Sequence, residues 1–245
     1  MVSPRPTGWH AGTVVDIRQE TRTAKRITLD VPGWPGNDAG SHLDLRLTAP
    51  DGYQASRSYS IASSGESTRV VLAVDEVPDG EVSPFLVHDV RPGDALEVHG
   101  PLGNYFIWDP AASASHVQLI AGGSGVVPLF AMADAHGRGG DPAGFRLLYS
   151  VRTPDDRFFA AELGELADRD RIDVTYRYTR STPDGWPSPP GRVTRELLAE
   201  TTWPADVAPA VYVCGPTPFV ESVSDWLVEL GHEPRAVRTE RFGGG

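Results

Sequence analysis

The sequence predicts two domains of different class: an N-terminal antiparallel β-barrel over residues 1–110, and a C-terminal α/β domain on a parallel sheet over residues 111–245. Three observations carry this. The first hundred residues hold short, evenly spaced strand-like runs separated by turn residues, the pattern of an antiparallel barrel or sandwich. From His116 onward, apolar strands alternate with helical patterns, which implies a parallel sheet covered on both faces. Between the two, Asp109–Ser115 is a run of proline and small residues where the pattern breaks.

In the first half the strand candidates are Gly12–Arg18, Arg26–Val31, Leu43–Thr48, Ser58–Ala62, Arg69–Val74 and Ala95–His99. Pro32-Gly33, Pro35-Gly36, Pro50-Asp51-Gly52, Pro78-Asp79-Gly80 and Pro92-Gly93-Asp94 punctuate them, supplying the fixed and positive φ values that turns need. One short helix interrupts the series. Ser83 is placed to cap it, Pro84 fits its first position, and Phe85-Leu86-Val87 gives it an apolar side. It reads either as a connector or as an anion site at its N-terminus.

In the second half the strands are Val117–Ala121, Phe145–Ser150, Ile172–Tyr178, Val211–Cys214 and Ala236–Arg238. The helices are Val126–Gly137, Phe158–Asp168, Thr194–Glu200 and Pro218–Leu230, and Ser181–Gly191, with four prolines, is a loop. Ligands on such sheets sit beyond the carboxyl ends of the strands. That edge collects Gly122–Gly125, Ser150–Arg152, Thr179–Arg180 and Cys214–Pro216.

The stretch Ala121-Gly122-Gly123-Ser124-Gly125-Val126-Val127-Pro128 runs from a strand through a glycine turn into a helix. Glycines without side chains let an anion approach the backbone, and the free N–H groups of a helix start favour a phosphate. Pro128 stands where the ordinary dinucleotide fingerprint has a third glycine, and a plain tight turn is the competing interpretation. In Arg57-Ser58-Tyr59-Ser60, alternation puts Arg57 and Tyr59 on one face and the two serines on the other. An arginine and a tyrosine side by side suit a phosphate and an aromatic ring. They equally suit a salt bridge and a filled barrel end.

The net charge of −11 argues against nucleic acid and anionic membranes as partners. A single cysteine, Cys214, rules out an internal disulfide and a four-cysteine iron–sulfur cluster within these residues. No apolar run reaches membrane-spanning length, and the first twenty residues hold no signal-peptide core. A cytoplasmic monomer with no metal site is the expectation.

Five segments in order, Arg57-Ser58-Tyr59-Ser60, Gly80-Glu81-Val82-Ser83, Gly100-Pro101-Leu102-Gly103, Ala121–Pro128 and Cys214-Gly215-Pro216, resemble those of the ferredoxin–NADP reductase superfamily of flavoprotein reductases. The likeness spans nearly the whole chain. It looks nearest to bacterial reductase modules that serve oxygenases, which often end near a sequence like Glu240-Arg241-Phe242-Gly243.

The resemblance implies a flavin barrel followed by a pyridine-nucleotide domain. Arg57 would bind the flavin phosphate, Tyr59 would pack on the isoalloxazine, and Ser60, beside Ser58, would hydrogen-bond near N5. Backbone around Ala73 and Val74 would face the flavin. Gly80, Val82 and Ser83 would hold a pyrophosphate, which favours FAD over FMN. Gly123, Ser124, Gly125 and Pro128 would hold the pyrophosphate of NAD(P)H. Cys214, with Gly215 and Pro216, would lie near the nicotinamide, although a lone cysteine at a strand end is also a common buried hydrophobe. Glu240 would approach the reacting rings, or else be a surface charge.

Ser150, Arg152, Thr179 and Arg180 make a plausible pocket for a 2′-phosphate and so favour NADPH. Asp155 and Asp156 lie just beyond and offer a ribose hydroxyl site instead. With no cluster on these residues, electrons would pass to a separate ferredoxin-like protein or oxygenase component. An acidic ferredoxin would need a basic patch, for which Arg22, Lys25 and Arg26 are candidates. Two other readings stay open: a reductase of small acceptors (free flavin, quinone, ferric chelates) and a non-catalytic, nucleotide-responsive subunit.

Overall fold

A computed structural model describes residues 5–112, 114–140, 142–169 and 171–243. The chain forms two compact units, one ending at Trp108 and the other beginning at Asp109. Of the interdomain run predicted over Asp109–Ser115, Ser113 lies outside the described residues.

The first unit contains β1 (Gly8–Thr21), β2 (Ala24–Asp30), β3 (His42–Thr48), β4 (Gln54–Ser60), β5 (Arg69–Asp75), the helix α1 (Ser83–His88) and β6 (Ala95–Leu102). The strands form an antiparallel sheet in the order β4-β3-β6-β1-β2-β5. β1 is long because it changes partners, pairing through Gly8–Thr13 with β6 and through Thr13–Thr21 with β2. The two edge strands meet at the bridge between Ile61 and Leu72, where Ala62 N–H donates to the Val71 carbonyl at 2.8 Å. The sheet is thereby rolled into a barrel. Alternation does the sorting: Ile27 and Leu29 of β2, and Val70, Leu72 and Val74 of β5, all face the core. α1 adds Leu86 and Val87 to it, each burial stabilising by about 1.5–3 kcal/mol.

β4 starts four residues earlier and ends two residues earlier than its sequence pattern predicts. Gln54–Arg57 has no apolar periodicity, and it becomes strand because its backbone pairs with β3, from Thr48 opposite Gln54 to His42 opposite Ser60. The reversal between them is fixed by Ala49 N–H on the Tyr53 carbonyl at 2.8 Å. Ile61 and Ala62 leave the strand to make the barrel-closing bridge.

The second unit contains β7 (His116–Gly122), α2 (Val126–Arg138), β8 (Gly144–Val151), α3 (Ala160–Asp168), β9 (Asp173–Tyr178), α4 (Arg195–Thr201), β10 (Ala210–Pro216), α5 (Thr217–Glu229) and β11 (Val237–Phe242). Its sheet is parallel throughout, in the order β11-β10-β7-β8-β9. β7 is buried from Val117 to Gly122. The one polar side chain of that buried run, Gln118, is satisfied: Nε2 donates to the Leu119 carbonyl at 3.2 Å, and Oε1 accepts from Trp203 N–H at 3.0 Å. α2 packs Phe130 flat on Phe159, with ring centroids 4.0 Å apart. Thr194 caps α4 through Leu197 N–H, 3.3 Å away. β11 runs four residues beyond its predicted end, since parallel pairing with β10 continues to Phe242 opposite Pro216.

From β7 the chain steps outward to β8 and β9, then returns to place β10 on the other flank of β7. β7 and β10 are therefore the switch point of the sheet, where ligands of open α/β sheets bind. No helix among the described residues is long and apolar enough to cross a membrane.

Candidate functional site

In the first unit the site residues gather around β4 and α1. Tyr59 packs against the barrel core, and burial pushes its hydroxyl up to about 12, partly offset by Arg57. It is therefore neutral at physiological pH. Ser58 and Ser60 face the other side, where Ser58 Oγ donates to Asp44 Oδ1 at 2.5 Å. Arg57 shares the Tyr59 face, as alternation requires, but its guanidinium swings to the turn ahead of α1. There Nη2 donates to Glu81 Oε2 at 2.8 Å and Nη1 to the Ser56 carbonyl at 2.7 Å. Glu81 Oε1 accepts a second bond from the Tyr53 hydroxyl at 2.7 Å. Sequence reasoning gave neither Glu81 nor Tyr53 a role. Local pattern does not distinguish them from ordinary surface residues; the approach of β4 to the turn before α1 does.

Ser83 is not the cap of α1. The N-cap is Val82, which makes no side-chain cap bond, and Ser83 is the first helical residue. Its Oγ instead accepts from Val77 N–H at 3.0 Å. The reason is the tight turn before it, in which Gly80 N–H donates to the Val77 carbonyl at 3.0 Å and Asp79 adopts a left-handed φ of 63°. Gly80 is close-packed, since a Cβ there would lie 2.9 Å from the Val77 carbonyl oxygen. The Val82 side chain belongs to the barrel core, leaving its backbone for any ligand. α1 spans six residues, so its dipole is weak.

Ala73 and Val74 lie on edge strand β5, with the Val74 side chain in the core. On the β4 side the pairing stops at Leu72, so among the described residues no strand covers their backbone there. Of the candidate basic patch, Arg26 is neutralised by Glu20, with Nε 2.7 Å from the carboxylate. Arg22 is exposed and Lys25 half-buried at the β1–β2 turn.

In the second unit the predicted residues share the carboxyl edge of the sheet. Ala121 stands opposite Cys214, Gly122 opposite Ser150, and Cys214 opposite Glu240. Past the strand ends, Thr179 N–H donates to the Val151 carbonyl and Arg180 N–H to the Arg152 carbonyl, both at 2.9 Å. This ties the Arg152 and Arg180 arms together. Both arginines are exposed, and neither has an ion-pair partner among the described residues. Asp156 accepts from the Thr153 hydroxyl at 2.8 Å, while Asp155 is exposed.

The glycines of the turn have different tasks. Gly123 has φ 56°, and a Cβ there would meet nothing within 4 Å, so its backbone faces open space. Gly125 is pressed against β10, where a Cβ would lie 2.5 Å from the Cys214 carbonyl carbon and 2.7 Å from Gly215 N. The freedom ascribed to Gly125 for anion approach is thus taken up by packing against a neighbouring strand. Gly122 and Gly215 both make room for the ring of Phe219, with Cβ positions 2.8 Å from its Cδ1. Phe219 was not read from the sequence; paired glycines at the ends of two strands are its signal. Ser124 sits half-buried in the 3₁₀ turn Gly123–Gly125, and Pro128 lies in the first turn of α2.

Cys214 is buried, and burial together with nearby Glu240 pushes its thiol well above the usual range. It is a neutral thiol and not a thiolate nucleophile. Gly215 is buried beside it and Pro216 is exposed at the start of α5. Among the described residues no group of three or more His, Cys, Asp or Glu side chains is placed to hold a metal ion.

Comparison with known proteins agrees with this layout. The oxidoreductase FAD-binding domain family matches residues 13–107 and the oxidoreductase NAD-binding domain family residues 119–225. The chain is 30% identical over 235 residues to the 2-halobenzoate 1,2-dioxygenase electron transfer component of Burkholderia cepacia, covering 94% of this chain and 67% of that protein. It is 29% identical over 242 residues to the glycine betaine monooxygenase reductase subunit of Chromohalobacter salexigens, covering 96% and 65%. The flavohem-like FAD/NAD binding domain of nitric oxide dioxygenase from Vibrio cholerae has the same fold, with a TM-score of 0.84 at 22% identity over 96% of this chain and 99% of that one. The chain spans 62–68% of the length of the first curated relatives it matches. A barrel and a parallel sheet in this order, each matching its own cofactor-binding family across its span, place the chain in the ferredoxin–NADP reductase superfamily of NAD(P)H-dependent flavoprotein oxidoreductases.

Proposed function

We propose that this chain takes electrons from NADPH, through FAD, to a separate ferredoxin-like protein or oxygenase component. The observation that carries this is the convergence on one end of β4: Arg57 reaches the turn before α1 while Tyr59, two residues on, presents a ring on the same face. When bound, FAD would supply the redox chemistry, as the two-electron acceptor for the hydride of NADPH and the donor to the acceptor protein. The chain's residues supply binding and orientation. Arg57 and the backbone from Gly80 through Val82 to Ser83 hold the diphosphate. Tyr59 packs on the flavin ring, Ser60 offers a hydroxyl near N5, with Ser58 beside it, and the uncovered backbone of Ala73 and Val74 receives the pyrimidine or ribityl side.

At the switch point, Gly123 and Ser124 present backbone N–H groups to the nucleotide pyrophosphate, while Gly125 and Pro128 fix the turn and the start of α2. Cys214, Gly215 and Pro216 end the strand on the nicotinamide side. The neutral thiol of Cys214 excludes water without adding charge, and Glu240 stands beside it in register.

Arg152 and Arg180, tied together and unpaired, suit a 2′-phosphate, with Ser150 and Thr179 alongside. Several relatives are named NADH reductases, so the choice of NADPH rests on these two arginines. Arg180→Ala is expected to lower the ratio of kcat/KM for NADPH to that for NADH by about tenfold or more, the loss of one charge-assisted contact. An unchanged ratio would place 2′-phosphate recognition elsewhere. Relatives named as reductase components of oxygenases support this acceptor class.

Anaerobic titration with NADPH and with NADH, followed by flavin absorbance, tests the proposal. The expected result is a yellow protein bleached at lower concentration by NADPH. A protein that takes up no flavin, or whose flavin neither nucleotide bleaches, would refute it.

A further inference from the structure

We propose that Glu81 is an internal competitor for Arg57, and that the flavin phosphate must take the guanidinium from it. This rests on the assignment of Arg57 to the flavin phosphate. Each carboxylate oxygen of Glu81 already has a donor: Oε2 takes Arg57 at 2.8 Å and Oε1 takes the Tyr53 hydroxyl at 2.7 Å. The carboxylate thus occupies the arginine as a phosphate oxygen would, with the same charge sign and donor geometry. The pair is held loosely enough to exchange, since the Arg57 and Glu81 side chains are 53% and 49% exposed. An exposed pair is weak and yields to a better anion. Tyr53 keeps its own bond to Oε1 when Arg57 departs, so the released carboxylate stays partnered beside the turn. Glu81 follows Gly80 and precedes the buried Val82, which fixes its backbone at the place where the phosphate is to be held. The consequence is a site whose affinity for phosphate-bearing flavins is set below what Arg57 alone would give, with no effect on the ring-binding residues.

The test is equilibrium titration of the flavin-stripped full chain with FAD and with riboflavin, read by flavin fluorescence. Far-ultraviolet circular dichroism checks that each variant is folded. Glu81→Gln is expected to tighten FAD binding by about twofold to fivefold, the scale of one exposed ion pair. Riboflavin, which has no phosphate, should bind wild type and variant alike. In an Arg57→Ala background the gain from Glu81→Gln should shrink, because the competition has no object and only the repulsion between carboxylate and phosphate is left. Unchanged or weaker FAD binding by Glu81→Gln, in a protein whose Arg57→Ala variant does lose FAD, would overturn the competition and leave the flavin site standing. An equal gain in the Arg57→Ala background, or for riboflavin, would overturn it as a general charge effect. A wild-type chain that binds no FAD would overturn the flavin assignment, and this inference with it.

Discussion

Gly125→Ala is expected to destabilise the α/β unit by about 3 kcal/mol and to lower its unfolding midpoint by about 10 °C. The added methyl would lie 2.5 Å from the Cys214 carbonyl carbon, 2.7 Å from Gly215 N, and nearer still to the Cys214 carbonyl oxygen. All three are backbone atoms of β10, which is clamped between β7 and β11 by its ladders. No flexible side chain can give way, so either the turn lifts off the sheet or β10 shifts against both neighbours. Gly123→Ala, two residues earlier, is the control. Its methyl meets nothing within 4 Å, and the cost is that of holding φ 56° with a side chain, about 1–2 kcal/mol. Thermal unfolding of the full chain, followed by circular dichroism, separates the two. Equal midpoints for the two variants would show that close packing at the switch point does not set stability.

The same turn shows what the sequence can and cannot reveal. Its glycines, its place after an apolar strand and the change from period two to a helical pattern are all local signals, and they locate the strand–turn–helix correctly. Their division of labour is not local. Gly125 answers to Cys214 and Gly215, some ninety residues away in the chain. The barrel behaves likewise. β2 and β5 are legible because one face is buried and alternation marks it, whereas the start of β4 is not, because Gln54–Arg57 is strand only by pairing with β3. Ser83 looked like a helix cap from its position before Pro84, yet a reversal at Asp79 brought Val77 N–H to it first. Arg57 and Tyr59 were visible as a pair on one face. The partner that holds Arg57 lies on another element, and no spacing rule reaches it.

Arg57→Ala is expected to raise the dissociation constant for FAD by about 10- to 100-fold, the loss of charge-assisted hydrogen bonds to one phosphate. The fold should be unaffected, because the side chain is half exposed and its pair with Glu81 is of the surface kind. Arg57→Lys keeps the charge and loses the fork, so it should fall between wild type and alanine. Riboflavin separates the two tasks of β4. It has a ring for Tyr59 and no phosphate for Arg57, so Arg57→Ala should leave its binding unchanged. Tyr59→Ala would weaken both flavins, and because Tyr59 packs against the barrel core, that variant would also lower stability. Equilibrium dialysis of each variant against FAD and riboflavin reads these outcomes directly. Wild-type retention of FAD by Arg57→Ala would remove β4 from phosphate binding and shift that task to the backbone of the Val77–Gly80 turn. Equal losses for FAD and riboflavin would mean that Arg57 shapes the barrel end and does not bind the phosphate. Only the phosphate-dependent loss ties the arginine to the anion.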